Sequence, residues 1–185
     1  MLFRSASREP GGPLRLSSLL TQTLELPLSA VAQIRFLDGR TTYLSDLQPT
    51  ESRLAPYFGS ATAVAPGQDQ NAAGGPLQVR GAQYRKGLGT RSHSRIVYQL
   101  GGQFRLFQAT AAIDDYSQGK GSVRFALEAD GARVWESDLV TGSSRPLAVG
   151  PIDVSSKRQI ALVVEYGELA DVDDWADWCD AVVIR

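Results

Sequence analysis

Two tryptophans and seven carboxylates lie close together near the end of this 185-residue chain, between Glu165 and Asp180. That stretch contains no Lys or Arg, so its carboxylates repel one another unless water or a cation screens them. Trp175 and Trp178 flank Asp177. An indole face packs on apolar C–H groups and a carboxylate accepts hydrogen bonds from hydroxyls, a combination typical of sugar-binding sites. Either tryptophan, above all Trp178 next to the last strand, could instead belong to the core.

Arg91 and His93 are the cationic or polar groups that would complete such a site. Arginine donates hydrogen bonds to ring and hydroxyl oxygens, and the one histidine of the chain is a further polar group. The predicted carbohydrate-binding set is therefore Trp175, Trp178, Asp177, Arg91 and His93.

A second group of carboxylates predicts a hard-cation site. Asp114 and Asp115 end one predicted strand, whereas Asp171 and Asp174 lie in the acidic stretch. If these two loops meet at one end of a sandwich, their oxygens could bind structural Ca²⁺. The alternative is a solvated loop whose acids cap turns. With one Cys and one His, the chain has no thiolate zinc site and no multi-histidine metal site.

Catalytic motifs are weak throughout. Ser94 follows His93, but neighbouring strand residues point to opposite faces and cannot act as nucleophile and base. The segment 86–89 (Lys-Gly-Leu-Gly) lacks the third glycine of a phosphate loop, and no helical pattern follows it, so a tight turn into a strand is favoured. Paired carboxylates carry little information in so acidic a stretch. The sequence therefore predicts no catalytic residue.

Apolar residues alternate with a period of two over most of the chain, which is typical of half-buried strands. Short strands are expected at residues 23–27 and 32–36, with a turn at Asp38-Gly39 and a return strand over 40–44. Residues 59–76 predict a long surface loop, and a phase slip at Leu106-Phe107 predicts a β-bulge or a strand buried on both faces. About ten strands without a long helix indicate a β-sandwich or barrel. The expected core is Ile96, Tyr98, Phe107, Phe125, Leu127, Ile160, Leu162 and Val164.

Composition narrows the possible partners. Hydrophobic residues make up 43% of the chain and the formal net charge is −1, which argues against nucleic-acid binding through a basic surface. No apolar run approaches the ~20 residues of a membrane span. Residues 1–12 lack the apolar segment of a signal peptide, so the expectation is a cytosolic protein or a piece of a longer chain. The single Cys179 predicts no internal disulfide and a buried, inert thiol.

Several motifs in a fixed order resemble the NPCBM family, whose modules accompany glycoside hydrolases. They are residues 84–89 (Tyr-Arg-Lys-Gly-Leu-Gly), the strand entry 92–98, the run 107–115 ending in Ile-Asp-Asp, residues 121–125 leading to Asp130-Gly131, and residues 174–178 ending in Ala-Asp-Trp. Residues 43–47 and 56–58 are similar to the opening segment of the family. The resemblance covers about residues 41–185.

The resemblance implies a jelly-roll, galactose-binding-like β-sandwich over residues 41–185. Residues 1–40 would then be a linker and strand extension from a preceding element. It also implies a non-catalytic module for galactose-type sugars, some relatives holding structural calcium, within a larger extracellular or periplasmic protein with neighbouring domains. The alternative function is a structural or protein-interaction domain that binds no sugar.

Two positions depart from the family pattern. The family commonly has His where this chain has Arg91, with His93 two residues later, and often has His where this chain has Trp175. Both positions lie in loops, so the departures concern the ligand more than the fold.

Overall fold

The computed structural model describes residues 3–7, 12–18, 23–30 and 40–185, which fall into two units, 1–37 and 38–185. The first unit is an antiparallel sheet of β1 (Phe3–Ser7), β2 (Leu14–Ser18) and β3 (Thr23–Leu26), followed by a 3₁₀ turn (Leu28–Ala30). The strand predicted at 23–27 is confirmed. The strand predicted at 32–36 and the turn at Asp38-Gly39 lie outside the described residues.

The second unit contains fifteen strands in its described residues. They are β4 (Thr41–Tyr43), β5 (Glu51–Leu54), β6 (Thr62–Ala63), β7 (Gly67–Gln68), β8 (Leu77–Val79), β9 (Ala82–Tyr84), β10 (Gly87–Arg91), β11 (Ser94–Gln99), β12 (Leu106–Ile113), β13 (Ser122–Ala129), β14 (Ala132–Glu136), β15 (Val140–Thr141), β16 (Leu147–Asp153), β17 (Gln159–Tyr166) and β18 (Trp175–Ile184). Two 3₁₀ turns, Leu44–Asp46 and Asp115–Ser117, interrupt them. No helix in the described part of the chain is long and apolar enough to cross a membrane.

These strands form two antiparallel sheets. Sheet I has the order β16-β12-β18-β10-β7, with β4 also paired to β18. Sheet II has the order β14-β13-β17-β11-β5-β6, with β15 paired to β13. A hairpin of β8 and β9 is separate from both. The sequence alternation therefore predicted the all-β class correctly, and of the sandwich and the barrel that it left open the structure has the antiparallel β-sandwich implied by the family resemblance.

The core lies between the two sheets and follows the period of two. All eight residues expected there are at most 1% exposed. From sheet I, Phe107 and Trp178 enter this core, and from sheet II, Phe125 does. The Trp178 ring meets Phe125 edge-on at a centroid distance of 5.1 Å and Phe107 at 6.3 Å. Edge-to-face aromatic pairs of this kind add to the free energy gained by burial.

The bulge predicted at Leu106-Phe107 lies on the neighbouring strands instead. Leu106 is 36% exposed and β12 alternates regularly, with Phe107 buried. The extra residues sit on β16 and on β18, where the pairing register shifts against β12. On β18 Asp180 has φ 46°, a left-handed conformation that fits a bulge. The bulge moves the core-facing phase of β18 by one residue, so that Ala181 points inward after Trp178.

The segment 59–76, predicted as a long loop, contains the short strands β6 and β7 and packs on sheet I. A Cβ on Gly89 would come within 2.3 Å of the Asn71 Cα, so only glycine allows this backbone to approach β10. Residues 86–89 therefore lead into β10, and the glycine at position 89 lets the 59–76 segment pack directly on that strand. The β8–β9 hairpin covers the same sheet, where Leu77 packs with the buried, unbridged Cys179. Burial raises the pKa of that thiol, in agreement with the inert cysteine predicted.

Replacing Phe125 with Ala tests this core. The ring is fully buried and contacts Trp178, so its loss should lower the free energy of unfolding by about 3–5 kcal/mol. Chemical denaturation measures the change, with Phe58→Ala as control, because Phe58 is 87% exposed and its loss should change stability by less than about 0.5 kcal/mol. Equal losses in the two variants would contradict the packing described.

Candidate functional site

Several connections between strands meet at one end of the sandwich. The β10–β11 and β12–β13 loops lead from sheet I to sheet II there, and the β17–β18 loop returns. Strand pairing sets their relative positions, because Arg91 is the register partner of Trp175 and the Asp114 N–H donates to the Trp175 carbonyl at 2.8 Å. The segment after β5 joins them, because the Ala55 N–H donates to the His93 carbonyl at 2.8 Å. Five of the nine predicted site residues lie in or beside these loops with accessible side chains.

Arg91, Trp175 and Tyr116 form a stack at this end. The Arg91 guanidinium carbon lies 4.6 Å from the centre of the Trp175 ring, and the Tyr116 ring meets that indole edge-on at 4.6 Å. Trp175 is half-buried and Tyr116 is 56% exposed. Trp175 is therefore not the open platform expected from the sequence, because a cation covers one side of its ring. Tyr116 is the exposed member of the stack, whereas Arg91 and Trp175 are both partly buried.

His93 belongs to a second aromatic group beside this stack. Its ring stacks on Tyr166 at a centroid distance of 5.2 Å, and Tyr57 meets Tyr166 edge-on at 5.6 Å. The Tyr166 hydroxyl donates to the Ala55 carbonyl, which ties the segment after β5 to β17. The peptide bond between Ser92 and His93 is cis.

Asp171 connects the two groups. Its carboxylate accepts a hydrogen bond from the Tyr57 N–H at 3.2 Å, and its carbonyl accepts one from an Arg91 Nη at 3.4 Å. The Arg91 Nε is buried and has no hydrogen-bond partner among the described residues. A buried N–H donor of a charged group is costly to leave unpaired, and this one is enclosed by the protein rather than open to a ligand.

Asp174 fastens the base of the site. Its buried carboxylate accepts from the Ser92 Oγ at 2.5 Å and from the Ser122 N–H at 2.7 Å, and so joins the β10–β11 loop to the start of β13. Burial raises the pKa of Asp174, and these two hydrogen bonds partly oppose that effect. Asp174 is a buried structural residue, and it lies beneath the surface that would contact a ligand.

Trp178 is a core residue, and its assignment to the sugar site is wrong. Alternation along β18 points it inward between the sheets, where it is 0% exposed and packs against Phe107, Phe125 and Trp135. A ligand cannot reach this ring. The core alternative left open for Trp178 describes the residue correctly.

Asp177 is also enclosed and cannot contact a sugar, which corrects its assignment. It points to the outer face of sheet I beneath the covering loop, is 1% exposed, and neither carboxylate oxygen receives a hydrogen bond from the described residues. Burial and the adjacent Asp114 carboxyl raise the pKa of Asp177 well above 3.8. Asp114 accepts from the Asn71 Nδ2 at 3.1 Å, so a proton on Asp177 completes a buried Asp-Asp-Asn cluster.

The four carboxylates predicted to bind calcium do not converge. Besides Asn71, Asp114 accepts from the Gln78 and Tyr116 N–H groups, while Asp115 accepts from the N–H groups of Arg80 and Gly81. Asp171 and Asp174 use the separate partners described above. Among the described residues no group of three His, Cys, Asp or Glu side chains is arranged to hold a metal ion. The set Asp114, Asp115, Asp171 and Asp174 therefore does not fit one ion, and bound calcium stays a prediction without a ligand set.

Sequence reasoning missed Tyr57, Tyr116 and Tyr166 as residues of this end. Tyr116 and Tyr166 lie at or just beyond the ends of strands indicated by the alternation, and two of the three tyrosines stand in motifs already noted: Tyr116 follows Ile-Asp-Asp and Tyr57 lies in Pro-Tyr-Phe. Aromatic residues in loops at strand ends were the available signal. Only the pairing of the strands shows that they come together.

Replacing Asp177 with Asn tests the buried carboxyl. Because the native pKa is raised, the native state holds a proton that the unfolded chain releases, and this stabilisation is lost as pH rises through the native pKa. Asn can donate to Asp114 at every pH. The variant should therefore match the wild type at about pH 4 and exceed its free energy of unfolding by about 1–3 kcal/mol above the native pKa.

Urea denaturation across this pH range measures the difference between the two proteins. Asp138→Asn is the control, because Asp138 is exposed and its replacement should leave the pH dependence unchanged. A variant that loses stability as pH rises, or a difference independent of pH, would contradict the buried carboxyl described here.

The sequence also matches known proteins. The sequence model of the NPCBM/NEW2 domain covers residues 40–184. Over 142 residues the chain is 28% identical to a Renibacterium salmoninarum protein named "Putative endo-alpha-N-acetylgalactosaminidase". This match covers 77% of the chain but only 9% of the relative, so the chain spans a small part of that protein.

Solved carbohydrate-binding modules share the architecture. The CBM51 of a Clostridium perfringens GH95 protein, solved with methyl-galactose, is 26% identical at a TM-score of 0.65, covering 77% of this chain and 99% of that one. The CBM51-2 and INT domains of Clostridium perfringens ZmpB, solved with GlcNAc, are 22% identical at 0.69, covering 100% and 40%. The second likeness concerns the fold alone. The chain belongs to the NPCBM/NEW2 domain family and has the galactose-binding-like β-sandwich fold of the CBM51 modules.

Proposed function

We propose that this module binds a sugar of a glycan, without catalysis, at the loop end that carries Arg91, Trp175 and Tyr116. The observation that carries the proposal is the Arg91–Trp175 stack, in which a guanidinium is held against an indole beside an exposed tyrosine. A sugar needs directional hydrogen bonds at its edge and an apolar surface for its C–H face. Arg91 supplies the first and Tyr116 the second.

The charges around the stack favour a neutral sugar. The carbonyl of Asp171 accepts a hydrogen bond from Arg91, and its carboxylate accepts one from the Tyr57 N–H. The Arg91 guanidinium attracts an anion, but the Asp171 carboxylate beside it opposes a carboxylate or sulfate on the ligand, whereas sugar hydroxyls can donate to Asp171 and accept from Arg91. Galactose-type sugars are the first candidates, since a CBM51 similar to this chain was solved with methyl-galactose.

The arrangement of the carboxyl groups at this end supports binding without hydrolysis. Glycoside hydrolysis commonly uses two carboxyl groups that flank the scissile bond. At this end Asp174 is buried and held by Ser92 and Ser122, and the Asp171 carboxylate is engaged by the Tyr57 N–H. Neither therefore forms an open pair with the other across the stack.

A location outside the cytoplasm and a place in a larger protein complete the proposal. The solved relatives occur with other domains, including an M60 catalytic domain beside two CBM51 modules in Clostridium perfringens ZmpB (22% identity, TM-score 0.68). A glycan-binding module in such a chain keeps a neighbouring catalytic domain close to its substrate, because a second binding site raises the effective concentration. We expect the same arrangement here, in an extracellular or periplasmic protein.

Replacing Arg91 with Ala tests this site. A screen on a glycan array identifies ligands, and calorimetric titration with methyl-galactoside should give a Kd of about 0.1–1 mM for the wild type. The variant loses charged hydrogen bonds, so its affinity should fall at least about tenfold. Arg91→Lys keeps the charge but loses the planar stack on Trp175 and should be intermediate.

Arg158→Ala is the matched control, because Arg158 is exposed and lies in the β16–β17 connection at the opposite end of the sandwich. Its affinity should equal that of the wild type. A wild-type protein that binds nothing on the array would favour a structural or protein-interaction role. Binding that survives in Arg91→Ala would place the site elsewhere.

A further inference from the structure

An exposed aromatic pair lies beside the stack. Tyr57 is 56% exposed and Phe58 is 87% exposed, and their rings meet edge-on at 5.0 Å. Leu169 and Val172, 64% and 57% exposed, lie on the β17–β18 loop that the Tyr57–Asp171 hydrogen bond joins to this pair. Single exposed apolar residues are ordinary, but four on two joined loops mark a contact surface.

Asp171 makes this surface continuous with the stack. Its carboxylate accepts from the Tyr57 N–H and its carbonyl accepts from Arg91, so one residue separates the aromatic pair from the guanidinium. Tyr57 is further held by its edge-on contact with Tyr166, whose hydroxyl binds the Ala55 carbonyl. The pair is thus anchored at Tyr57, while the ring of Phe58 is largely exposed to solvent.

We propose that Phe58 and Tyr57 form a second subsite, which takes the next sugar of an oligosaccharide whose terminal sugar occupies the Arg91–Trp175 stack. This inference rests on the proposed function and deepens it: the ligand class is a neutral oligosaccharide rather than a single sugar. A pyranose C–H face packs on an aromatic ring without needing a polar partner, and Phe58 offers such a ring. A stable protein interface buries about 800 Å² on each side through about 20–30 residues, whereas this surface consists of four exposed apolar side chains.

Titration of two ligands that differ by one sugar tests the second subsite. The ligands are methyl-galactoside and N-acetyllactosamine, which places GlcNAc next to galactose. The disaccharide should bind the wild type about tenfold more tightly, a difference of about 1.4 kcal/mol. Phe58→Ala should remove this gain and leave the Kd for methyl-galactoside within about twofold of the wild type. If the array selects another oligosaccharide, that compound and its terminal sugar replace this pair.

Further variants separate an aromatic contact from a change in folding. Phe58→Tyr keeps the ring and should keep the disaccharide gain, whereas Phe58→Leu should lose most of it. Leu106→Ala is the control, because Leu106 is a partly exposed apolar residue where β12 begins, at the opposite end of the sandwich. Phe58→Ala, Phe58→Tyr, Phe58→Leu and Leu106→Ala should all melt at the wild-type temperature.

Each other result overturns the second subsite in a recognisable way. Equal affinity of the wild type for both ligands, or a disaccharide gain that survives in Phe58→Ala, removes the subsite but leaves the proposed function standing. An equal loss for both ligands would place Phe58 in the first subsite. Sedimentation that shows a dimer dependent on Phe58 would assign the surface to a second copy of this chain. No binding to any glycan is failure of the proposed function itself.

Discussion

The alternation of side chains along β18 is the constraint on which the rest of the structure depends. This strand lies between β12 and β10 in sheet I, and a strand must present successive residues to opposite faces. Trp178 therefore enters the core while Asp177 points to the outer face, and the Asp180 bulge resets the phase for Ala181. Because Trp178 contacts Phe125 across the sandwich, the indole also fixes the separation of the two sheets.

The same strand positions the candidate site. Trp175 begins β18 opposite the last residue of β10, so the pairing that buries Trp178 also brings the indole of Trp175 beside Arg91. These two residues are the positions at which the resemblance to the family implies histidine. As cross-strand neighbours they form one cation–π pair rather than two independent changes. A change of ligand preference at this site therefore involves both residues together.

Buried carboxyl groups divide the acidic stretch into different roles. Asp174 ties loops together beneath the site, and Asp177 shares a covered cluster with Asp114. Asp171 contacts residues of the candidate site: its carboxylate accepts a hydrogen bond from the Tyr57 N–H, and its carbonyl accepts one from the Arg91 guanidinium. The acidity that the sequence presents as one cation-binding region is thus distributed over separate sites: Asp171 and Asp174 accept hydrogen bonds from local donors, whereas Asp177 is buried beside Asp114.

The sequence by itself determined the all-β class, the eight core residues and the family. Those depend on a local period of two and on short motifs in order. It also named Arg91, His93 and Trp175 as candidate site residues, and the structure brings these three to the same end of the sandwich. Tertiary structure alone decided that Trp178 and Asp177 are enclosed, because the two residues are neighbours in an acidic run and only the packing of both faces of β18 separates them from solvent. It also decided that Tyr57, Tyr116 and Arg91 lie at the same end of the sandwich, since residues far apart in sequence come together only through strand pairing.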